Sequence, residues 1–371
     1  MDSVLWVPGM TPELQSKCEK GWIHREQVSI DHKYVSGPIL PCALPARLNG
    51  VSCHLYRLGK LNAREYIVRQ MIGSHPRIEK CLGAVNMGGM DAEGVMIADR
   101  KGVADREIWL LLEKYTERLD DYICTPVDRT NQGNWNLVIQ VAEAMQYLHA
   151  HDLVHRNLCI LNTFVVHDSD GNHSIILGGL HQTSPILYGK ASLPFLSRSG
   201  PIGWYYAASS DGGQFNFRIA APEMLRNTDK SSKASDMWAF GILIYQMFTR
   251  GRTPYAHLSD LDSILRFLNQ DNRLTLPYDS LTELDALLQE CWEYYPENRP
   301  VFDTAFITRL RAMGPTIEEY WTHPAASRHS QPPFEETPIT DSNFGPIAPN
   351  TPLYVNPAPN PNKDSSTCLL F

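Results

Sequence analysis

From residue 153 to residue 162 the chain reads Leu-Val-His-Arg-Asn-Leu-Cys-Ile-Leu-Asn, four polar side chains at set spacing among apolar ones. His155, Arg156 and Asn162 fit the loop pattern H-R-D-L-x-x-x-N, in which the aspartate takes a hydroxyl proton and the asparagine holds a metal ion. The aspartate position holds Asn157. A carboxylate accepts such a proton, whereas an amide oxygen accepts a hydrogen bond but is far too weak a base. A second reactive position stands at the other end of the sequence. Cys368-Leu369-Leu370-Phe371 is a C-a-a-X pattern, whose cysteine is a site of prenylation, geranylgeranyl with Phe last and farnesyl as the other option. No polybasic run precedes it, so one lipid there gives only weak, reversible membrane contact.

The 371 residues are 43% apolar and include 8 tryptophans, enough for a large packed core. A formal net charge of -8, with basic residues scattered, points away from nucleic acid as a partner. The 8 cysteines form no C-x-x-C pair or ligand cluster, and buried thiols in a reducing compartment are expected. The first ten residues lack a basic-then-apolar leader. The longest apolar run, residues 237–248, is too short to cross a bilayer and reads as a buried helix. These features predict an intracellular, cytoplasmic protein.

The scaffold that must position these residues follows from periodicity. Residues 1–27 read as an N-terminal extension with a helix over 12–20. Strands are predicted within 28–57, where Asn49-Gly50 marks a hairpin, and at 80–85 and 107–112, with a helix over 61–72 between them. Helices follow at 135–150, 235–249, 259–268, 280–294 and 301–313, three of them opening on serines that serve as N-caps. Strands first and helices after predict an α+β arrangement of two lobes. Residues 324–371 carry ten prolines and few aliphatics, so a disordered C-terminal tail is expected.

Six stretches in order resemble a eukaryotic protein kinase domain, nearest the tyrosine-kinase and tyrosine-kinase-like groups. They are Glu107-Ile-Trp-Leu-Leu-Leu-Glu-Lys-Tyr115, Val141-Ala-Glu-Ala-Met-Gln-Tyr-Leu-His149, the loop at His155, Ala221-Pro222-Glu223, Ser235-Asp-Met-Trp-Ala-Phe-Gly241, and Cys291-Trp292 followed by Asn298-Arg299-Pro300. The resemblance implies a kinase-like domain over 28–315, with a small β-rich N-lobe at 28–115 and a larger helical C-lobe at 116–315. It also implies structural roles: a Glu223–Arg299 ion pair, Asp236 holding the backbone of the catalytic loop, and His155 and Arg156 within that loop.

The same resemblance locates the parts that phosphoryl transfer requires. The glycine-rich loop aligns on Gly37-Pro38-Ile39-Leu40-Pro41-Cys42, where only Gly37 survives and the prolines remove backbone donors. The strand lysine aligns on His54, shorter and largely neutral near pH 7. The helix glutamate aligns on Tyr66; Glu65 is adjacent but, without the lysine, has no expected partner. The metal-binding D-F-G aligns on Leu177-Gly178-Gly179, and leucine offers Mg²⁺ no oxygen. Asn162 is the one remaining metal ligand, insufficient alone. Around the adenine the resemblance places Gly37, Leu44, Ser52, Glu113, Tyr115 and Phe164; Phe164 either fills the pocket or stacks on a base. The 47 residues from Leu177 to Glu223 form a long activation segment. The reading implied is a pseudokinase that serves other signalling proteins as scaffold or allosteric partner, with no cofactor. The alternative is a divergent Ser/Thr or Tyr protein kinase that uses ATP and Mg²⁺.

Overall fold

The computed structural model of the protein describes residues 11–30, 43–59, 63–86, 108–115, 117–124, 132–168, 170–180, 184–185, 216–227, 230–276 and 282–322. Gly37 and its loop, most of the activation segment and residues 323–371 with Cys368 lie outside them.

The first lobe comprises α1 (Pro12–Lys20), β1 (Trp22–Ile23), β2 (Val28–Ile30), β3 (Ala43–Leu48), β4 (Val51–Gly59), α2 (Ala63–Ile72), β5 (Cys81–Asn86) and β6 (Ile108–Glu113). Its strands form one six-stranded sheet in the order β1-β5-β6-β4-β3-β2. Asn49 and Gly50 take φ of 49° and 86°, the left-handed pair that a two-residue hairpin between β3 and β4 requires. The sheet also takes in Trp22 and Ile23, ahead of the residue 28 at which the sequence places the start of the lobe. They pair parallel with Ala84 and Val85, because β5 would otherwise present an open edge. One face of the sheet buries Val28, Ala46, Cys53, Leu55, Val85, Trp109 and Leu111.

The second lobe comprises β7 (Glu117–Arg118), α3 (Leu119–Cys124), α4 (Gln132–Ala150), β8 (Leu153–Val154), β9 (Thr163–His167), β10 (His173–Leu177), β11 (Ser184–Pro185), α5 (Pro222–Arg226), α6 (Lys233–Phe248), α7 (Leu261–Asn269), α8 (Thr282–Cys291) and α9 (Thr304–Thr322). Every residue of α6 from Ser235 to Phe248 is buried, which places this helix at the centre of the lobe. Trp135 Nε1 donates to the Leu310 carbonyl at 2.7 Å and ties α4 to α9. The molecule is thus a two-lobed α+β fold, β-rich first and helical after. Among the described residues, no helix is long and apolar enough to cross a membrane.

Three local expectations differ from the structure. The caps of α6 and α7 are Ser232 and Asp260, not Ser235 and Ser259. Ser235 instead closes a reciprocal box with Ser232, and the Asp260 carboxylate accepts the Ser263 amide at 2.7 Å while sitting at the positive end of the helix. The antiparallel β9–β10 hairpin was not anticipated, although Asp170-Gly171 between two Val/Ile-rich runs is a hairpin signal. Finally, α9 continues through Pro315 beyond the expected stop near residue 313, since Ile317 is still packed in the core.

Candidate functional site

The catalytic loop is held from below by one carboxylate. Asp236, in the first turn of α6, accepts the backbone amides of His155 at 2.7 Å and Arg156 at 2.9 Å, and His149 Nε2 at 3.0 Å. Arg156 sits at φ 71°, a left-handed turn that those two bonds stabilise. The His155 ring accepts the Asn157 amide on Nδ1 and donates from Nε2 to the Gly178 carbonyl at 2.9 Å. Asn162 Nδ2 donates to the Asn157 carbonyl at 2.9 Å. His155, Arg156, Asn157 and Asn162 therefore stand together, with an amide in place of the base.

The metal positions are filled differently. Leu177 is a core residue of β10: its amide donates to the Arg77 carbonyl at 2.8 Å and its carbonyl accepts the Glu79 amide at 2.9 Å. A side chain at Gly178 would meet Phe164 Cε2 at 2.7 Å, and one at Gly179, φ 71°, would meet Asn162 Cγ at 2.5 Å. The two glycines let the chain lie against Asn162 and Phe164, and neither position has room for a larger residue. Among the described residues, no three His, Cys, Asp or Glu side chains converge as a metal site. One neutral Asn162 oxygen does not fit Mg²⁺, which demands several hard oxygen ligands.

Around the expected adenine site Tyr115 and Phe164 come together, whereas Leu44 and Ser52 do not. Leu44 and Ser52 lie on opposite faces of the sheet: Leu44 pairs with Leu55 and packs into the buried face, while Ser52 pairs with Arg47 and is exposed. Side chains alternate along a strand, so an odd offset across the ladder separates them. Glu113 is also exposed. Tyr115 is 7% exposed and Phe164 1%, and their rings stack at 4.1 Å with 21° between planes. The His54 ring lies 5.9 Å from Tyr115. Burial holds the His54 imidazole below its ordinary pKa, against the opposing pull of Glu79, so it carries no charge with which to replace lysine.

Behind these rings lies a charged network that the sequence reading missed. Tyr115 Oη donates to Glu79 Oε1, and Arg69 Nη2 to Glu79 Oε2. Arg69 also donates from Nη1 to the Glu79 carbonyl at 2.8 Å, and from Nε and Nη2 to Glu65 Oε1 at 3.0 and 2.7 Å. Glu65 therefore has a partner after all, one turn along its own helix. Burial alone would lower the Arg69 pKa, but Glu79 and then Glu65 outweigh it and raise it, holding the guanidinium charged. Burial and the Glu79 charge push the Tyr115 phenol well above its usual range. Tyr66 faces the other way and donates to the Cys18 carbonyl at 2.7 Å. The available signal was the i,i+4 spacing of Glu65 and Arg69 on the predicted helix.

Below the loop, Arg299 donates to both oxygens of Glu223 at 2.7 and 2.9 Å, the pairing that the resemblance implies. It also donates to the carbonyls of Glu293 and Ala234, and its guanidinium lies 5.1 Å over the Trp238 ring.

Comparison with known proteins supplies the family. The description "protein tyrosine and serine/threonine kinase" matches residues 75–308, more than half of the chain. Tyrosine-protein kinase Shark of Drosophila melanogaster is 32% identical over 179 residues, covering 48% of this chain and 17% of the relative. Tyrosine-protein kinase ZAP-70 of Mus musculus is 32% identical over 169 residues, 45% of this chain and 24% of the relative. Tyrosine-protein kinase SYK of Gallus gallus is 27% identical over 212 residues, 57% and 31% respectively. The chain spans less than a third of the length of these relatives. The match takes in the catalytic loop, Asp236 and the Glu223–Arg299 pair alike, and the chain belongs to the protein tyrosine and serine/threonine kinase family.

Proposed function

We propose that this kinase-fold chain is a pseudokinase, a scaffold or allosteric partner for other signalling proteins. The observation that carries this reading is the stack of Tyr115 on Phe164. Residues aligned around the adenine pack on each other at 4.1 Å, with the buried Glu79 carboxylate behind them. A base would have to part the rings, and a triphosphate would approach a site whose lysine is a neutral His54. Loss of the general base alone costs about 10²–10⁴-fold. Loss of a metal site adds several kcal/mol, though not additively. With His54, Asn157 and Leu177 all in place, repair of one position leaves the others missing.

The full chain and an Asn157→Asp variant are both expected to transfer no phosphate from Mg-ATP to protein acceptors, and to melt at the same temperature with ATP in Mg²⁺ as in EDTA. Transfer by the parent that disappears in Asn157→Ala would instead establish a divergent Ser/Thr or Tyr protein kinase. The preserved placement of the catalytic loop and Asn162 favours that second reading.

A membrane tether through Cys368 extends the first reading, with one prenyl chain giving reversible contact. In cells with active prenyltransferases, part of the parent chain is expected in the membrane fraction and a Cys368→Ser variant wholly in the soluble one. Equal partition of the two would rule the tether out.

A further inference from the structure

The segment ahead of β2 is built onto the lobe at every step. Leu14 and Cys18 of α1 are buried, and the Tyr66 hydroxyl of α2 bonds the Cys18 carbonyl at the end of α1. Any Cβ at Gly21 would collide with that hydroxyl. The Gly21 carbonyl accepts the Ala84 amide at 2.9 Å, and a Cβ at Gly83, φ 153°, would run into Ile23 and the Gly21 carbonyl. The chain then continues as β1 along the edge of β5.

α2 consequently has two buried faces with different partners. Tyr66 reaches α1, while Arg69, bonded to Glu65 on its own helix, reaches Glu79 and, through it, Tyr115. Neighbouring positions on a helix point about 100° apart, so a rotation that withdraws Tyr66 from α1 also swings Glu65 and Arg69 away from Glu79. We infer that residues 11–23 form a strap that sets the rotation of α2, and that this rotation, through Arg69 and Glu79, holds Tyr115 on Phe164. Releasing the strap loosens the ring pair; loosening the ring pair frees the strap. This coupling stands apart from phosphotransfer and holds for either reading of the chain's activity.

Three thiols report on it. Cys18 on the strap is 1% exposed, and burial, then Glu19, push its thiol up to about 11. Cys81, half-buried at the start of β5, is pushed up to about 11 by burial and feels the Arg69 charge. Cys124 is exposed and supplies the reference rate. Alkylation of each is followed by peptide mass, with amide exchange of α2, in the full chain and in Gly21→Val, Tyr66→Phe and Tyr115→Phe variants.

In Gly21→Val both Cys18 and Cys81 are expected to react about tenfold faster relative to Cys124, the ratio that loss of one buried hydrogen bond produces. Tyr66→Phe is expected to move both in the same direction. Tyr115→Phe, which only removes a hydroxyl on the far side of α2, is expected to speed Cys18, since a coupling between sites is reciprocal. Faster Cys18 alone in the strap variants, with Cys81 and α2 exchange at parental rates, would overturn the coupling. So would a parental Cys18 rate in Tyr115→Phe, which remains a valid test even where Gly21→Val fails to fold. None of these readouts involves phosphate transfer, so transfer from Mg-ATP would contradict the pseudokinase reading and leave the test of the strap unaffected.

Discussion

An Arg69→Leu variant is expected to unfold roughly 6–20 °C below the parent chain. The variant keeps most of the packing volume but leaves Glu65 and Glu79 facing each other with no cation. Breaking a buried ion pair from one side costs about 3–5 kcal/mol, because the remaining charge cannot reach water. For a domain of this size, 1 kcal/mol moves the midpoint by about 2–4 °C. Arg69→Lys should fall between the two. An ammonium carries the charge but cannot span Glu65, both groups of Glu79 and the geometry of a planar fork at once. Calorimetry of the three proteins checks the order. A leucine variant within about 1 kcal/mol of the parent would mean that the buried network does not hold the lobe.

Arg299→Ala is the second large effect expected, about 3–5 kcal/mol by urea denaturation. The Arg299 side chain is 0% exposed and its Glu223 partner 12%. The substitution strands that carboxylate together with the carbonyls of Glu293 and Ala234, and uncovers one face of Trp238. Glu223→Gln should cost less, since the guanidinium keeps the carbonyls of Glu293, Ala234 and Tyr294 and one amide oxygen. The double variant is expected to lie well short of the sum of the two singles, as residues in direct contact do. Full additivity would mean that the pair contributes nothing beyond its separate contacts. Amide exchange should rise in α5 and at the start of α6, the two elements that Arg299 joins.

The second lobe was legible because its ties are carried by short motifs whose spacing survives intact. Asp236 beside Trp238, Glu223 after Pro222, and Arg299 before Pro300 each name their own place, and the structure puts them there. The buried helix was legible from its uniform apolarity, and the β3–β4 hairpin from Asn49-Gly50, whose φ values few other residue pairs accept. The first lobe was less so. Glu79 meets Arg69 across 10 residues and Tyr115 across 36, and no local rule announces a charge that is neutralised by a distant segment. The helix that carries Tyr66 was legible, but the direction of the side chain was not, because helix rotation is set by what packs on both sides. Ser52 and Leu44 were paired by alignment, whereas strand alternation assigns them to different faces. The three-stranded sheet of β10, β9 and β7 was missed because its runs are only two to five residues long.

The grip of Asp236 on the catalytic loop has an evolutionary reading. Its carboxylate takes the main-chain amides of His155 and Arg156, and nothing in that arrangement depends on the side chain at 157. A gene can therefore exchange aspartate for asparagine at that codon with almost no penalty in folding, and purifying selection on shape cannot see the change. Selection on turnover and selection on fold are separable at this residue. A lineage can lose its chemistry in a single substitution, keep its surface intact, and leave that surface available for selection on other grounds.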